Sequence, residues 1–203
     1  MKLYLVRHGE TDVNRILGHG VSGPMHNEPV TFKPGDDTDV PLNVYGRAHA
    51  WEAGTKLPDT IDTIYASPLL RTRETAEIIA EMKNMDASVI AFRDELREYH
   101  QGSLEGMTTE EKKESLGGQT WGSGSLCDYD YTPWGGDSWK TIHDRLRSFF
   151  DELHAGRDDD KVIVCVTSGG VIRMAYKIFF GDKAPTITRH ITVKNGSVHE
   201  FIL

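Results

Sequence analysis

The chain has 203 residues, 38% hydrophobic, 27% charged and 9% aromatic, a length and balance that call for one folded domain over residues 1–203 and exclude a disordered chain. A formal net charge of -8 argues against binding nucleic acid or anionic lipid through a general basic field, so any anionic ligand has to be held by a few local arginines. Two cysteines, Cys127 and Cys165, are too few for a disulfide framework and fit a reducing cytoplasm. Met1 to Val6 is neither a signal peptide nor a span, and no later apolar run approaches the ~20 residues a membrane helix needs.

Residues 2–6 are a short apolar run closed by Arg7-His8-Gly9, the pattern of a buried strand. Thr11 or Asp12 is placed to cap a short helix through Arg15. Residues 18–39 are rich in Gly, Pro and Asp without period, which predicts a long surface loop of the functional or mobile kind. A helix over 46–57, a strand over 60–66 and a helix over 71–82 follow, the last with Ile78, Ile79 and Met82 on its inner face. A short strand over 88–92, a charged helix start over 108–114 and an irregular Gly/Ser/Trp/Tyr stretch over 117–136 come next. Ser138 caps a long helix through Leu153, with Ile142, Leu146, Phe149, Phe150 and Leu153 at helical spacing. The apolar run 161–167 reads as a buried parallel strand, followed by Ser168-Gly169-Gly170 and a helix over 171–180 ended by Gly181. Residues 191–202 read as a hairpin whose Asn195-Gly196 suits a type I′ turn. The alternation predicts an α/β fold, a three-layer α/β/α sandwich on a mostly parallel central sheet with antiparallel edge strands.

Ligands of open α/β sheets bind beyond the carboxyl ends of the strands, and two predicted strands end in reactive groups. Arg7 beside His8 offers a bidentate fork for phosphate oxygens next to an imidazole nucleophile, and Gly9 lets the backbone approach a ligand. A strand-end ion pair and a satisfied core histidine are the plain alternative for this pair. Arg71 falls where the strand ending at Ala66 turns into a helix, so its guanidinium and the helix N-terminus both favour an anion. Arg73, two residues on, has to point elsewhere, to solvent or to Glu77. The nine histidines show no His-x₃-His, Cys-x₂-Cys or His-Glu-x-x-His spacing, so neither metal nor cofactor is called for. Trp121, Trp134, Trp139, Tyr129 and Tyr131 either line a pocket or pack an irregular segment onto the domain.

Across nearly the whole chain these motifs resemble the histidine phosphatase superfamily, the phosphoglycerate-mutase-like group, in its phosphatase-type branch. Leu5-Val-Arg-His-Gly-Glu-Thr11 is similar to its RHG motif, with Asn14 following, and Asp39-Val-Pro-Leu-Asn-Val-Tyr-Gly46 to its D-x-P-L-x-x-x-G segment. Ser67 to Ala76 resembles its second arginine motif, and Leu96-Arg-Glu98 with Gly102 and Glu105-Gly106 its acid-bearing segment. Gly135-Gly-Asp-Ser138 is similar to the G-E-S that opens its long helix, and Val166 to Arg173 to its last motif.

The resemblance implies a covalent mechanism in which His8 attacks a phosphomonoester and water hydrolyses the phosphohistidine. Arg7 and Arg71 position and neutralise the equatorial oxygens, Asn14 and Ser168 add phosphate contacts, and Glu98 protonates the leaving alkoxide, for which its pKa must rise. Glu105 is the competing carboxylate, in the structural part of its motif, while Tyr99, His100 and the 18–39 loop shape the substrate side. The implied partner is a small phosphomonoester metabolite in the cytoplasm. Oligomeric state, a homodimer included, stays open.

The pattern departs at one place. Family members end the last strand in a histidine that contacts the transferring phosphoryl group, and Ser168 stands where it is expected. A hydroxyl and the N–H groups of a Gly-Gly helix start still donate, but a positive charge is lost, and weakening such a donor costs about 10²–10³ in rate. His100 is the nearest replacement by motif position. Three readings follow: a phosphomonoesterase, a mutase primed by a bisphosphorylated sugar acid, and a weakly active or non-catalytic phospho-ligand-binding regulatory protein. The short chain disfavours the second. A nucleophile elbow at Ser168 is disfavoured because Val166 occupies the position where G-x-S-x-G needs glycine.

Overall fold

Two unbroken apolar runs, residues 3–6 and 162–166, meet at the middle of the sheet. β1 (Lys2–Arg7) and β4 (Val162–Thr167) pair in parallel, Leu3 opposite Ile163 and Arg7 opposite Thr167, in the computed structural model. The structure describes residues 1–17, 40–105, 107, 111, 114–115, 130–156, 158, 160–181 and 193–202. β2 (Thr63–Ala66) lies parallel on the far side of β4, and β3 (Ile90–Phe92) lies parallel beyond it. β5 (Val198–Ile202) runs antiparallel along β1, which gives the order β3-β2-β4-β1-β5. Among the described residues β5 is the antiparallel edge strand. The other edge, β3, is parallel because a helical crossover returns the chain in the direction of β2.

Successive strand residues face opposite layers. Tyr4, Val6, Ile64 and Val164 pack with Ala53 of α2 (Val44–Lys56), with Leu57 at its C-cap, and with Ala76 and Ile79 of α3 (Leu70–Met82). Leu3, Leu5, Ile163 and Cys165 face the other way, against α4 (Trp139–Ala155) and α5 (Gly169–Phe180). On α4 the predicted Ile142, Leu146, Phe149, Phe150 and Leu153 are all buried, and Ser138 Oγ accepts from Thr141 N as its cap. The result is a mixed α/β fold with a mostly parallel five-stranded sheet flanked by helices on both faces.

Several boundaries differ from the sequence reading for local physical reasons. α2 starts at Val44 because Asn43 Oδ1 accepts from Gly46 N at 2.8 Å, a side-chain cap ahead of the predicted residue 46. The strand expected over 60–66 is confined to β2, since Asp62 turns its carboxylate to Val162 N at 2.8 Å. On α3 the inner face belongs to Thr72, Thr75, Ala76, Ile79 and Ala80, while Ile78 and Met82 are half-buried. An apolar count misses that stripe because Thr72 and Thr75 satisfy their hydroxyls on the helix's own carbonyls. The strand expected over 88–92 begins with a 3₁₀ turn, Ala87–Val89, capped by Asp86. α5 begins two residues early, at Gly169, with Ser168 as its N-cap residue.

The 194–197 turn closes through Ser197 N to Lys194 O at 3.0 Å, but only Gly196 of its central pair has positive φ (70°). It is therefore not the type I′ turn expected, which needs φ > 0 at Asn195 as well. The loop 18–39, residues 108–110 and 112–113, the stretch 116–129 with Trp121, Cys127 and Tyr129, and residues 191–192 of the hairpin lie outside the described residues. Among the described residues no helix is long and apolar enough to cross a membrane.

Candidate active site

β1 delivers its last residues to the carboxyl edge of the sheet, between β4 and β5. Arg7 N donates to Ser197 O at 3.0 Å and His8 N to Thr167 O at 2.9 Å, so the ladder holds the backbone up to the histidine. The His8 ring is 3% exposed, and its Nδ1 lies 2.7 Å from Gly9 O. A carbonyl only accepts, so the neutral ring carries its proton on Nδ1 and leaves the Nε2 lone pair unprotonated. Burial first, then the Arg71 and Arg7 charges, press the His8 pKa well below its usual value against a smaller upward pull from Gly9 O. The imidazole is neutral at pH 7.

The loop after His8 is held by residues far along the chain. A Cβ on Gly9 would run into Gly46 O, and one on Gly46 into Glu10 O, so two backbones meet where only glycine fits. Gly9 N donates to Thr75 Oγ1 at 3.0 Å, and Thr75 Oγ1 donates to Arg71 O at 2.7 Å, which ties this loop to the helix that carries Arg71. Asn14, half-buried on α1 (Asp12–Leu17), accepts through Oδ1 from Thr11 N at 3.1 Å and from Asn195 Nδ2 at 3.0 Å. That leaves the Asn14 amide nitrogen as its donating end. Below the loop, fully buried Glu10 pairs with Arg15 and accepts from Asn43 Nδ2 at 3.0 Å.

Arg7 and Arg71 are both buried, and both act electrostatically on His8 and on Glu98. Arg7 Nη1 donates to Val193 O at 2.7 Å. Burial lowers the Arg7 pKa to about 10, with Glu98 opposing and Arg173 and Arg71 adding to the fall, so it remains a cation at neutral pH. Arg71 sits in the first turn of α3, as the strand-to-helix reading expects. Arg73 is exposed and stacks its guanidinium 5.0 Å from the Phe92 ring centroid, away from this cluster.

Glu98 reaches the same place from the opposite side. Its Oε2 accepts from Gly170 N at 3.1 Å and its Oε1 from Tyr99 N at 3.2 Å. Burial raises its pKa above the usual carboxylate value, while the two N–H groups, Arg71 and Arg7 pull the other way. Thr167 Oγ1 donates to Leu96 O at 2.6 Å and fastens the segment before Glu98 to the end of β4. Ser168 is 1% exposed, and its Oγ has no hydrogen-bond partner among the described residues. Arg173 folds back along α5, its Nη1 3.3 Å from where a Cβ on Gly169 would stand.

His8, Arg7, Arg71 and Glu98 are thus brought together, with Ser168 at the end of β4 and Asn14 behind the His8 loop. Two sequence candidates fall away. Glu105 Oε1 accepts from Gln101 N at 3.1 Å and stands 3.4 Å from His100 Nε2, while His100 Nδ1 accepts from Gly102 N at 3.0 Å. Both shape a turn. His100 is exposed and does not replace a second pocket histidine. Tyr131 stacks on Tyr99, ring centroids 5.7 Å apart, and Trp139 packs against the α4/α5 core, so these aromatics are packing. The residues missed were Thr75, Thr167, Arg173 and Asn195. Among the described residues no group of three or more His, Cys, Asp or Glu could hold a metal ion.

The model of the histidine phosphatase superfamily (branch 1) matches residues 3–203. The chain belongs to that family. This branch 1 member is 31% identical to phosphoglycerate mutase-like protein 4 of Arabidopsis thaliana, over 100% of the chain and 79% of that protein. It is 29% identical to a probable phosphatase of Schizosaccharomyces pombe, over 93% of the chain and 78% of that protein. Among solved structures, a mycobacterial glucosyl-3-phosphoglycerate phosphatase has a TM-score of 0.73 at 24% identity, covering 98% of this chain and 90% of that one. At that identity the likeness is one of fold.

Proposed function

We propose that the protein is a phosphomonoesterase that hydrolyses small phosphorylated metabolites through a phosphohistidine on His8. The observation that carries this reading is the buried His8 ring with Nδ1 donating to Gly9 O at 2.7 Å, in the field of Arg7 and Arg71. An unprotonated Nε2 is a nucleophile without a separate base, and two guanidiniums stabilise the charge on the equatorial oxygens. Ser168 Oγ and Asn14 Nδ2 are further donors to those oxygens.

In the first step a bond forms between Nε2 and phosphorus as the ester P–O bond breaks, and protonated Glu98 gives its proton to the departing alkoxide. In the second, water attacks phosphorus, its proton returns to the Glu98 carboxylate, and the P–N bond breaks to release inorganic phosphate and neutral His8. Arg7 and Arg71 stay charged throughout. The relatives' names, a mutase-like protein and a phosphatase, divide on the fate of the phosphoryl group, and water as acceptor is the outcome proposed.

The test is rapid-quench trapping with a panel of alkyl phosphomonoesters on the wild type, His8→Ala and Ser168→His. The expected result is an acid-labile, base-stable phosphoenzyme on the wild type, none on His8→Ala, and phosphate release equal to alcohol release. Phosphate release that survives His8→Ala, or no phosphoenzyme and no turnover on any ester, overturns the reading. Isomerisation of phosphoglycerate that depends on a bisphosphoglycerate primer would replace it with the mutase. A faster Ser168→His variant would mark a deficit at that position, and an inactive one a pocket adapted to serine.

A further inference from the structure

Asn195 lies on the turn before β5, where a sequence reading assigns it only turn chemistry. Its side chain is buried, and its Nδ2 stands 3.1 Å from His8 O, 3.3 Å from Gly9 O and 3.0 Å from Asn14 Oδ1. An amide nitrogen has two hydrogens, so one is shared between the adjacent His8 and Gly9 carbonyls and the other goes to Asn14. Exchanging the amide oxygen and nitrogen would set an acceptor against three acceptors, so the orientation is decided by its partners. Asn195 Oδ1 is buried without a partner among the described residues, an arrangement that packing alone does not favour. The turn backbone adds to the grip: Gly196 N donates to Arg7 O at 3.1 Å, and Val193 O accepts from Arg7 Nη1 at 2.7 Å.

Gly9 O is the carbonyl that receives the His8 Nδ1 proton. It is therefore shared by two donors, one fixing the tautomer of the ring and one fixing the carbonyl itself. Freed of Asn195, the 8–9 and 9–10 peptides can turn their carbonyls toward other donors, the hold on Nδ1–H loosens, and protonation of Nε2 becomes competitive. A ring protonated on Nε2 has no lone pair there to attack phosphorus. Asn14, whose carbonyl Asn195 also holds, would lose its orientation in the same event.

We propose that Asn195 is the positioning residue that keeps His8 in its Nδ1–H tautomer and aims Nε2 at the phosphoryl group. The proposal rests on the phosphohistidine reading for its consequence in turnover, but the tautomer can be read without any substrate. The variants are Asn195→Asp, which keeps the shape and removes the donor, Asn195→Ala, and Asn195→Ser, which restores a shorter donor. Nitrogen NMR of histidine-labelled protein, with His8→Ala to assign the signal, reports which ring nitrogen carries the proton. Steady-state kinetics on an alkyl phosphomonoester separates kcat from KM.

The expected result is a single Nδ1–H tautomer for His8 in the wild type and a mixture in Asn195→Asp and Asn195→Ala. The kcat of both should fall about 10²-fold, the scale of a small misplacement of a reacting group, with KM unchanged and partial recovery in Asn195→Ser. An unchanged tautomer in variants whose circular dichroism matches the wild type overturns the proposal, whatever happens to kcat. If Asn195→Asp and Asn195→Ala do not fold, Asn195→Ser decides: a wild-type tautomer with wild-type kcat overturns the proposal. A wild type with no activity on any ester, yet with the tautomer shift intact, would sink the phosphatase reading and leave the positioning role standing.

Discussion

Glu98 keeps its place at the start of α5 through a space that only glycine leaves. A methyl at Gly170 would run into Glu98 Oε1 and stand 2.9 Å and 3.0 Å from Tyr99 Cε1 and Cδ1. In Gly170→Ala the carboxylate therefore cannot keep both its 3.1 Å bond from Gly170 N and its 3.2 Å bond from Tyr99 N. A positioned general acid contributes about 10²–10⁴ in rate, and a displaced one that stays near the site should forfeit the lower part, about 10²–10³. Stability should move little. Gly170 has ordinary helical φ, so alanine there gains about 0.4–1 kcal/mol from the unfolded state, which offsets the crowding of two side chains. The assay is single-turnover phosphorylation of His8 with an alkyl phosphate and with p-nitrophenyl phosphate, whose phenolate leaves without a proton. The alkyl ester should lose the full factor in this step and the aryl ester almost none. Equal losses on both esters, or full activity on the alkyl ester in a folded variant, would refute the assignment of Glu98 as proton donor.

Three further outcomes test the frame around the site. Thr75→Val keeps the volume but leaves Gly9 N–H, 3.0 Å from Thr75 Oγ1, buried without an acceptor, and urea denaturation should show a loss of about 1–3 kcal/mol. Arg15→Met leaves fully buried Glu10 without its cation, a loss of about 3–5 kcal/mol that adding Glu10→Gln should largely restore; equal stability of the single and double variants would contradict the pairing. His199 is buried between Tyr176 Oη at 3.0 Å and Ser197 Oγ at 2.9 Å, and burial lowers its pKa from 6.5 to about 4. The unfolded chain then binds a proton that the folded one does not, so stability is full above pH 6.5 and falls as pH drops toward 4, by up to about 1.4 kcal/mol per pH unit. His8, lowered for the same reason, adds in the same direction. His199→Gln should flatten urea midpoints measured between pH 7 and pH 4.5, and an unchanged slope would count against a neutral His199.

β1 and β4 are legible because strands covered on both faces read as unbroken apolar runs, and Arg7, His8 and Ser168 follow at their carboxyl ends, where α/β sheets bind ligands. Arg71 is legible for a related reason, since its motif turns a strand into a helix. The inner face of α3 is less so, because Thr72 and Thr75 are polar by letter and apolar in effect once their hydroxyls close on backbone carbonyls. The start of α2 escapes periodicity because Val44 is exposed, and only the Asn43 cap marks the boundary. Glu98 and Glu105 are both plausible acids by letter. Their different partners, the Gly170 and Tyr99 N–H groups for one and the His100 turn for the other, are settled by the fold and not by the letters.

The anchors that local patterning cannot show share one property, which is that each joins segments far apart in the chain. Gly9 and Thr75 are 66 residues apart, Thr167 and Leu96 are 71 apart, and Asn195 and His8 are 187 apart. A dipeptide such as Asn195-Gly196 predicts a turn correctly in place, yet its amide is committed to the first loop of the chain, and the turn type changes with it. His8 is consequently held from three directions: by the β4 carbonyl of Thr167, by the carbonyl of its own neighbour Gly9, and through that neighbour by Thr75 and Asn195. Apart from the adjacent Gly9 carbonyl, none of these is available in an unfolded or partly paired chain. With a net charge of -8, the long-range field does not draw a phosphate dianion in, so the proposed capture depends on Arg7 and Arg71 being placed by the same closure. Anion binding and histidine activation should therefore appear and disappear together with the β1–β5 and β1–β4 pairings.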